Sequence, residues 1–333
     1  QRVAGYAREL SGTRLSGPSL PRVNLHFTLV PACATLPSAR HEEEAPMTTP
    51  LKSIVVTGAS TGIGRASVLA LLDAGFRVFA GVRDEAAAAR LRDAAPAGSV
   101  ERLDTLTLDV TDAGQVAAAA EHVGQAVGEA GLWGLFNNAG ITVNGPLEYV
   151  DLDGLRRQLE VNVVGQVAVT QAFVPLLRRA RGRIVNTGSV AGFMAMPMLG
   201  PYAMSKHAME AFSDSLRREL RPWGIRVSLL RPGPIVSDIW KKGVSDAEAL
   251  QRQLPPQALA DYGPTFAALR KLAAQAERHA APPEVVTRAV VHAFTSARPK
   301  TRYLMGTGAG IRRWLARLPD SWVDALVAKA LRL

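Results

Sequence analysis

The chain has 333 residues, 20% charged and 47% hydrophobic, a balance that argues against a disordered chain and leaves ample length for a large core. A single cysteine, Cys33, rules out an internal disulfide and a thiolate zinc cluster, and no apolar run approaches the roughly 18 residues of a spanning helix. The expectation is a reducing compartment, no bound metal and no spanning segment.

The formal charge of +10 is uneven. Residues 298–333 hold eight Lys and Arg against Asp320 and Asp324, and residues 1–46 hold five Arg against four Glu. The long middle segment is therefore close to neutral, which removes the electrostatic case for a nucleic-acid partner. Residues 1–46 lack any hydrophobic period, whereas an apolar strand begins soon after Met47. Residues 1–46 read as a disordered leader or upstream extension, with Met47 the expected natural start. The apolar stretch "FTLVPACATL" is preceded or broken by Asn24, His26 and Pro31, which argues against a signal peptide.

From Ser53 onward short apolar runs alternate with helical patterns. "SIVVTG" precedes a helix over Ile63 to Ala74, "RVFAGV" a helix from Glu85, and "LDTLTLDV" a helix from Ala113. "GLWGLFNNAG" precedes a long helix from about Leu152, "RGRIVNTGS" the helix containing Tyr202, and "IRVSLLRPGP" a looser helix-prone stretch to about Ala280. A helix from Glu284 and the strand "TRYLMG" follow. Strands apolar on both faces, separated by amphipathic helices, predict an α/β fold: a doubly wound parallel sheet, Rossmann-like, with helices on both faces. The patterned domain is expected to span residues 47–305, with a helix-prone segment at about 235–280 and an amphipathic tail at 306–333.

"TGASTGIG", residues 57–64, lies between the first strand and the first helix. Glycines 58, 62 and 64 permit a tight turn and a close backbone approach to a pyrophosphate, whose charge suits a helix N-terminus. Gly58, Ser60, Thr61, Gly62, Ile63 and Gly64 are thus candidate cofactor-binding residues. At the end of the second strand an acid would bind a ribose 2′-hydroxyl, but Val82 stands there and Arg83 follows with a guanidinium suited to a 2′-phosphate. NADP(H) is favoured, NAD(H) stays open, and Asp84 reads as the N-cap of the next helix.

Tyr202 and Lys206 lie four apart, hence on one helix face. A free tyrosine ionises near ~10, so acting as acid or base near neutrality requires lowering by roughly three units, or ~4 kcal/mol. An ammonium at ~4 Å supplies about that much at an effective dielectric near ~20.

With these residues in place, the chain resembles the short-chain dehydrogenase/reductase family from Lys52 to about Ile239, and more weakly to about Leu304. Tyr202-Ala-Met-Ser-Lys206 fits the family's Tyr-x-x-x-Lys, and "NTGSVAG" places Ser189 as its catalytic serine. "LEVNVVG" supplies the helix asparagine, Asn162, and "NNAG" supplies Asn138, Ala139 and Gly140 beside the cofactor. Asp109, with Val110, fits the adenine contact, and Pro232, Gly233 and Ile235 of "RPGPIVS" fit the nicotinamide segment. The resemblance implies hydride transfer with Tyr202 exchanging the hydroxyl proton and Ser189 polarising the substrate oxygen. It further implies that Lys206 lowers the tyrosine pKa and binds the ribose, that Asn162 holds a relay water, and that residues 47–305 form the catalytic domain with a helical substrate lid at about 235–280.

"EAFSDSLRREL" and "NTGSVAG" look most like the branch containing 17β-hydroxysteroid and retinol dehydrogenases, which implies a lipid-like alcohol or carbonyl substrate. Met194, Met196, Met198 and Leu199, with Ile239, Trp240, Leu250, Leu254, Leu259, Tyr262 and Phe266, suit an apolar pocket. A 3-oxoacyl reductase is the enzymatic alternative, and an NADP-binding regulatory or membrane-surface protein the non-enzymatic one. In the tail, Ile311, Trp314, Leu315 and Leu318 form one stripe and Trp322, Val323, Leu326, Val327 and Leu331 another. Contact with an anionic membrane and packing on the fold both explain them. The family suggests a homodimer or homotetramer, and the location expected is cytoplasmic, with the tail as the route to any membrane association.

Overall fold

The computed structural model describes residues 51–236, 251–252 and 254–331. Its centre is a seven-stranded sheet built from β1 (Ser53–Val56), β2 (Arg77–Val82), β3 (Leu103–Thr107), β4 (Gly134–Asn137), β5 (Arg183–Thr187), β6 (Arg226–Pro232) and β7 (Arg302–Met305). The order is β3-β2-β1-β4-β5-β6-β7 and every neighbouring pair runs parallel. Parallel strands need crossovers, and the helices that make them cover both faces, which is why runs such as "SIVV" are apolar throughout.

The helices are α1 (Gly62–Asp73), α2 (Glu85–Asp93), α3 (Ala113–Val127), α4 (Leu152–Leu159), α5 (Gly165–Ala180) and α6 (Gly200–Glu219). After β6 come α7 (Pro256–Arg278) and α8 (Glu284–Thr295), and after β7 come α9 (Ala309–Leu315) and α10 (Asp320–Leu331). Alternate residues of β1 serve opposite layers. Ile54 and Val56 join a cluster with α1, α2 and α8, whereas Val55 joins one with α3, α5 and α6. Strand order reverses between β1 and β4, so a crevice opens at the carboxyl ends of those strands.

The long helix expected from Leu152 is interrupted. Between α4 and α5, Glu160–Val164 forms a π-helical turn, a local widening that re-aims Asn162 into the protein. The stretch 152–180 reaches a mean hydropathy of 1.2 over an 18-residue window. Its apolar side is committed to the sheet through Val169, Phe173 and Leu177, all fully buried.

The lid is described only in part: Ser237, Ile239, Trp240 and Leu250 lie outside the described residues, as do residues 1–46. Within it, Leu254, Ala258 and Phe266 cluster with Met198, joining α7 to the loop before α6. The tail does not stand apart from the fold. α10 packs against α7, α9 against β7, and Leu331 is fully buried.

Candidate active site

A crevice of about 1090 Å³ runs along the carboxyl ends of the central strands. At one end is the turn after β1. Gly58 has φ +64° and Gly62 φ +54°, the left-handed region in which a side chain is strained. A Cβ on Gly58 would also stand 2.7 Å from the Ala139 Cα. The turn is held against the "NNAG" segment by Thr57, whose Oγ1 accepts from the amides of Asn138 and Ala139 at 2.9 and 3.0 Å. Asn138 Nδ2 donates back to the carbonyls of Thr57 and Gly58. Thr61 caps α1 with no side-chain bond, which leaves first-turn N–H groups for an anion at the positive end of the helix.

Gly58, Ser60, Thr61, Gly62, Ile63, Arg83, Asp109, Val110, Asn138, Ala139 and Gly140 all line this crevice. Gly64 does not. A Cβ there would overlap the Gly58 carbonyl and stand 2.6 Å from Asn138 Nδ2, so Gly64 is needed for packing within the turn rather than for contact with a ligand. Asp84 caps α2, accepting from the Ala87 amide at 2.7 Å, which turns its carboxylate toward the helix. Arg83 is exposed beside Asp109, whose carboxyl is held below its usual range chiefly by the Thr111 amide, with Arg83 and Arg157 adding to the effect.

At the other end stand Ser189, Tyr202 and Lys206, with Pro232, Gly233 and Ile235 in the adjoining wall. Ser189 follows β5 and accepts from the Ala191 amide at 3.1 Å; it also hydrogen-bonds the Tyr202 phenol. Lys206 is 5% exposed and donates to the Thr187 carbonyl at 2.9 Å. Helix α6 is clamped to the sheet by Glu210, which takes both Nε and Nη2 of Arg231 at 2.5 and 2.6 Å, and by Asp214, paired with Arg302 at 2.8 Å. The catalytic candidates on its first turns are therefore fixed relative to β6 and β7.

One expectation changes here. Lys206 lies over the tyrosine ring, 5.6 Å from its centroid, and is not the dominant influence on the phenol. Burial raises the Tyr202 pKa, with the Ser189 hydrogen bond opposing it, and burial lowers Lys206 to about 8. Both shifts have one cause: the crevice wall withholds solvent from the charged forms. Asn162 does not line the crevice and its amide is already committed. Oδ1 accepts from the Ile141 amide at 2.8 Å, while Nδ2 donates to the Ile141 carbonyl at 3.0 Å and to Ser205 Oγ at 3.1 Å. Its side chain braces the loop after β4 against α6.

Several lining residues escaped the sequence reading. Thr187 Oγ1 and Asn144 Oδ1 are buried without a partner on crevice-lining residues. Leu315, Val323, Leu326 and Val327 of the tail, with Leu269 and Ala273 of α7, add to the apolar lining that includes Met194, Met196 and Met198. Arg312 also faces this space. The glycine cradle, the open helix terminus and the orphaned Thr187 hydroxyl together fit a dinucleotide lying from Arg83 to Lys206.

Comparison with known proteins agrees with this geometry. The family model described as short chain dehydrogenase matches residues 52–248. An NADPH-dependent 3-dehydrocapnine reductase from Ornithobacterium rhinotracheale is 37% identical over 288 residues, covering 85% of this chain and 98% of the relative. Retinol dehydrogenase 5 from Homo sapiens is 38% identical over 291 residues, covering 84% of this chain and 88% of the relative. Among solved structures, a short chain dehydrogenase from Burkholderia cenocepacia in complex with NADP superposes with a TM-score of 0.61 at 25% identity, covering 83% of this chain and 97% of that one.

Proposed function

This chain belongs to the short-chain dehydrogenase family, and on that premise we propose that it interconverts the alcohol and carbonyl forms of an apolar, lipid-like molecule with NADP(H). The observation that carries the reading is the convergence of Ser189, Tyr202 and Lys206 with the glycine turn on a single crevice whose far wall is apolar.

The residues present divide the work. Gly58, Ser60, Thr61, Gly62 and the first turn of α1 would hold the pyrophosphate, Arg83 a 2′-phosphate, Asp109 and Val110 the adenine end, and Lys206 with Pro232, Gly233 and Ile235 the nicotinamide end. A bound nicotinamide supplies or accepts the hydride. Ser189 Oγ orients the substrate oxygen, and Tyr202 Oη gives it a proton in reduction or takes one in oxidation. The raised tyrosine pKa keeps the phenol protonated at neutral pH, which suits delivery of a proton to a forming alkoxide. Lys206, with a pKa of about 8, is mostly charged at pH 7 and stabilises the phenolate left behind.

The relatives support the substrate class, since one is named for retinol and another for 3-dehydrocapnine. A screen of retinoid, steroid, acyl and small carbonyl compounds with NADPH and NADH tests the proposal. Lipid-like carbonyls are expected to exceed small ones in kcat/KM by about 100-fold, each buried methylene contributing ~0.8 kcal/mol. NADPH is expected to exceed NADH by about tenfold or more through the Arg83 contact. Preference for small substrates, or for NADH, would contradict it.

The tail supports a second feature of this reading, peripheral membrane contact. Ile311, Trp314 and Trp322 are 68%, 71% and 64% exposed, close to the exposed Arg313 and Arg317. Aromatic residues beside cations suit an anionic interface and would set the crevice beside dissolved substrate. Binding to anionic liposomes at low salt, lost on replacing both tryptophans with serine, is the expected result; no binding by the parent chain would contradict it. Assembly as a dimer or tetramer through α5 and α6 accompanies this reading, with light scattering as its test.

A further inference from the structure

Among the arginines that line the crevice, Arg312 is set apart by burial: Arg83, Arg156, Arg157 and Arg270 are exposed, whereas Arg312 is partly buried. Elsewhere, Arg231 and Arg302 are tied to Glu210 and Asp214, and Arg183 donates to the Ala293 carbonyl at 2.7 Å. Arg312 makes neither an ion pair nor a side-chain hydrogen bond among the described residues. Its placement follows from α9. Ala309 packs close to Gly233, and three residues later Arg312 shares that inward side, whereas Arg313 faces a separate groove with Arg231 and Arg302. Burial pushes the guanidinium pKa down with no counter-charge to oppose it. The carboxylates lining the crevice, among the described residues, are Asp109 and Glu160, and Asp109 stands at the adenine end with its Oδ1 engaged by Thr111. Leu315, Val323 and Val327 of the tail line the same crevice, so the partly buried cation shares it with an apolar lining. A desolvated guanidinium without a partner is costly, and its planar fork matches an oxyanion.

We propose that Arg312 is an anion-binding subsite within the substrate crevice, and that the preferred substrate is an apolar carbonyl compound or alcohol bearing a compact acidic group such as a carboxylate or sulfonate. This rests on the crevice being the substrate site, as proposed above. Arg312 is then a specificity-determining residue: the apolar wall takes the chain, the guanidinium takes the acid, and together they fix which carbon meets Tyr202 and Ser189.

The test uses the full chain with long-chain oxo-acids of varied ketone position, each paired with its methyl ester. The best acid is expected to exceed its ester in kcat/KM by about tenfold or more. Arg312→Leu should bring that ratio near one by raising the KM for the acid, and Arg312→Lys should restore part of it. NADPH affinity, measured by fluorescence, should stay within about twofold in both variants, which also shows that they fold. Equal treatment of acid and ester by the parent chain, retention of the preference in Arg312→Leu, or a loss confined to NADPH affinity would each overturn the proposal. Calorimetry with laurate and dodecanol in the presence of NADP⁺ separates it from the reaction assignment. Arg312-dependent laurate binding without turnover of any carbonyl compound would sustain the subsite while refuting the reaction, and turnover with no laurate preference would do the reverse.

Discussion

Replacing Asn162 with alanine removes three hydrogen bonds at once, those to the Ile141 amide, the Ile141 carbonyl and Ser205 Oγ. The side chain is 1% exposed, so water does not readily replace them. Ser205 keeps its bond to the Tyr202 carbonyl at 2.8 Å, which leaves the two Ile141 groups as the main losses. At roughly 1–3 kcal/mol for each group left unsatisfied, the cost is about 2–6 kcal/mol. At roughly 2–4 °C per kcal/mol for a larger domain, that lowers Tm by roughly 4–24 °C. Thermal unfolding followed by circular dichroism measures it, alongside kcat and NADPH affinity on the same preparation. Loosening the loop after β4 should weaken cofactor binding in step with stability. An Asn162→Ala protein that melts within about 1 °C of the parent while losing kcat would refute the bracing role.

Further outcomes follow from the same contacts. Gly64→Ala should push the turn after β1 off the Gly58 carbonyl and Asn138, a strain of roughly 1–3 kcal/mol that weakens NADPH affinity by about tenfold or more in fluorescence titration. Lys206→Met should abolish turnover yet stabilise the cofactor-free protein at pH 7 by up to about 3 kcal/mol in urea unfolding, less the loss of the Thr187 bond. Because the folded pKa, about 8, lies below the ordinary 10.5, the unfolded chain binds more protons between those values. The parent therefore gains stability as pH rises through that window, and the advantage of the variant should shrink there; an advantage constant from pH 7 to 11 would contradict the assignment.

The sheet was legible because each strand announces itself as an apolar run between amphipathic helices, and the glycine turn because its spacing has few other uses. The Asp84 cap was also readable, since a helix N-cap demands a definite residue type at a definite place. The pKa values of Tyr202 and Lys206 were not. Spacing along a helix puts two groups on one face but carries no information on desolvation, which here outweighs their mutual attraction. The bracing contacts of Asn162 were not legible, because its partners come from a loop some twenty residues away and from another helix. The contribution of Arg312, Val323 and Leu326 to the crevice was hidden for the same reason. An amphipathic stripe shows that a helix has an inner side without showing what that side meets.

The most direct measurement is the reduction of a lipid-like carbonyl by Tyr202→Phe, which keeps the ring and removes only the hydroxyl. kcat is expected to fall by about 10²–10⁴-fold while NADPH affinity stays within about twofold, since the proton donor is lost and the cofactor contacts remain. Retention of more than about a tenth of the parent kcat would contradict proton transfer through Tyr202.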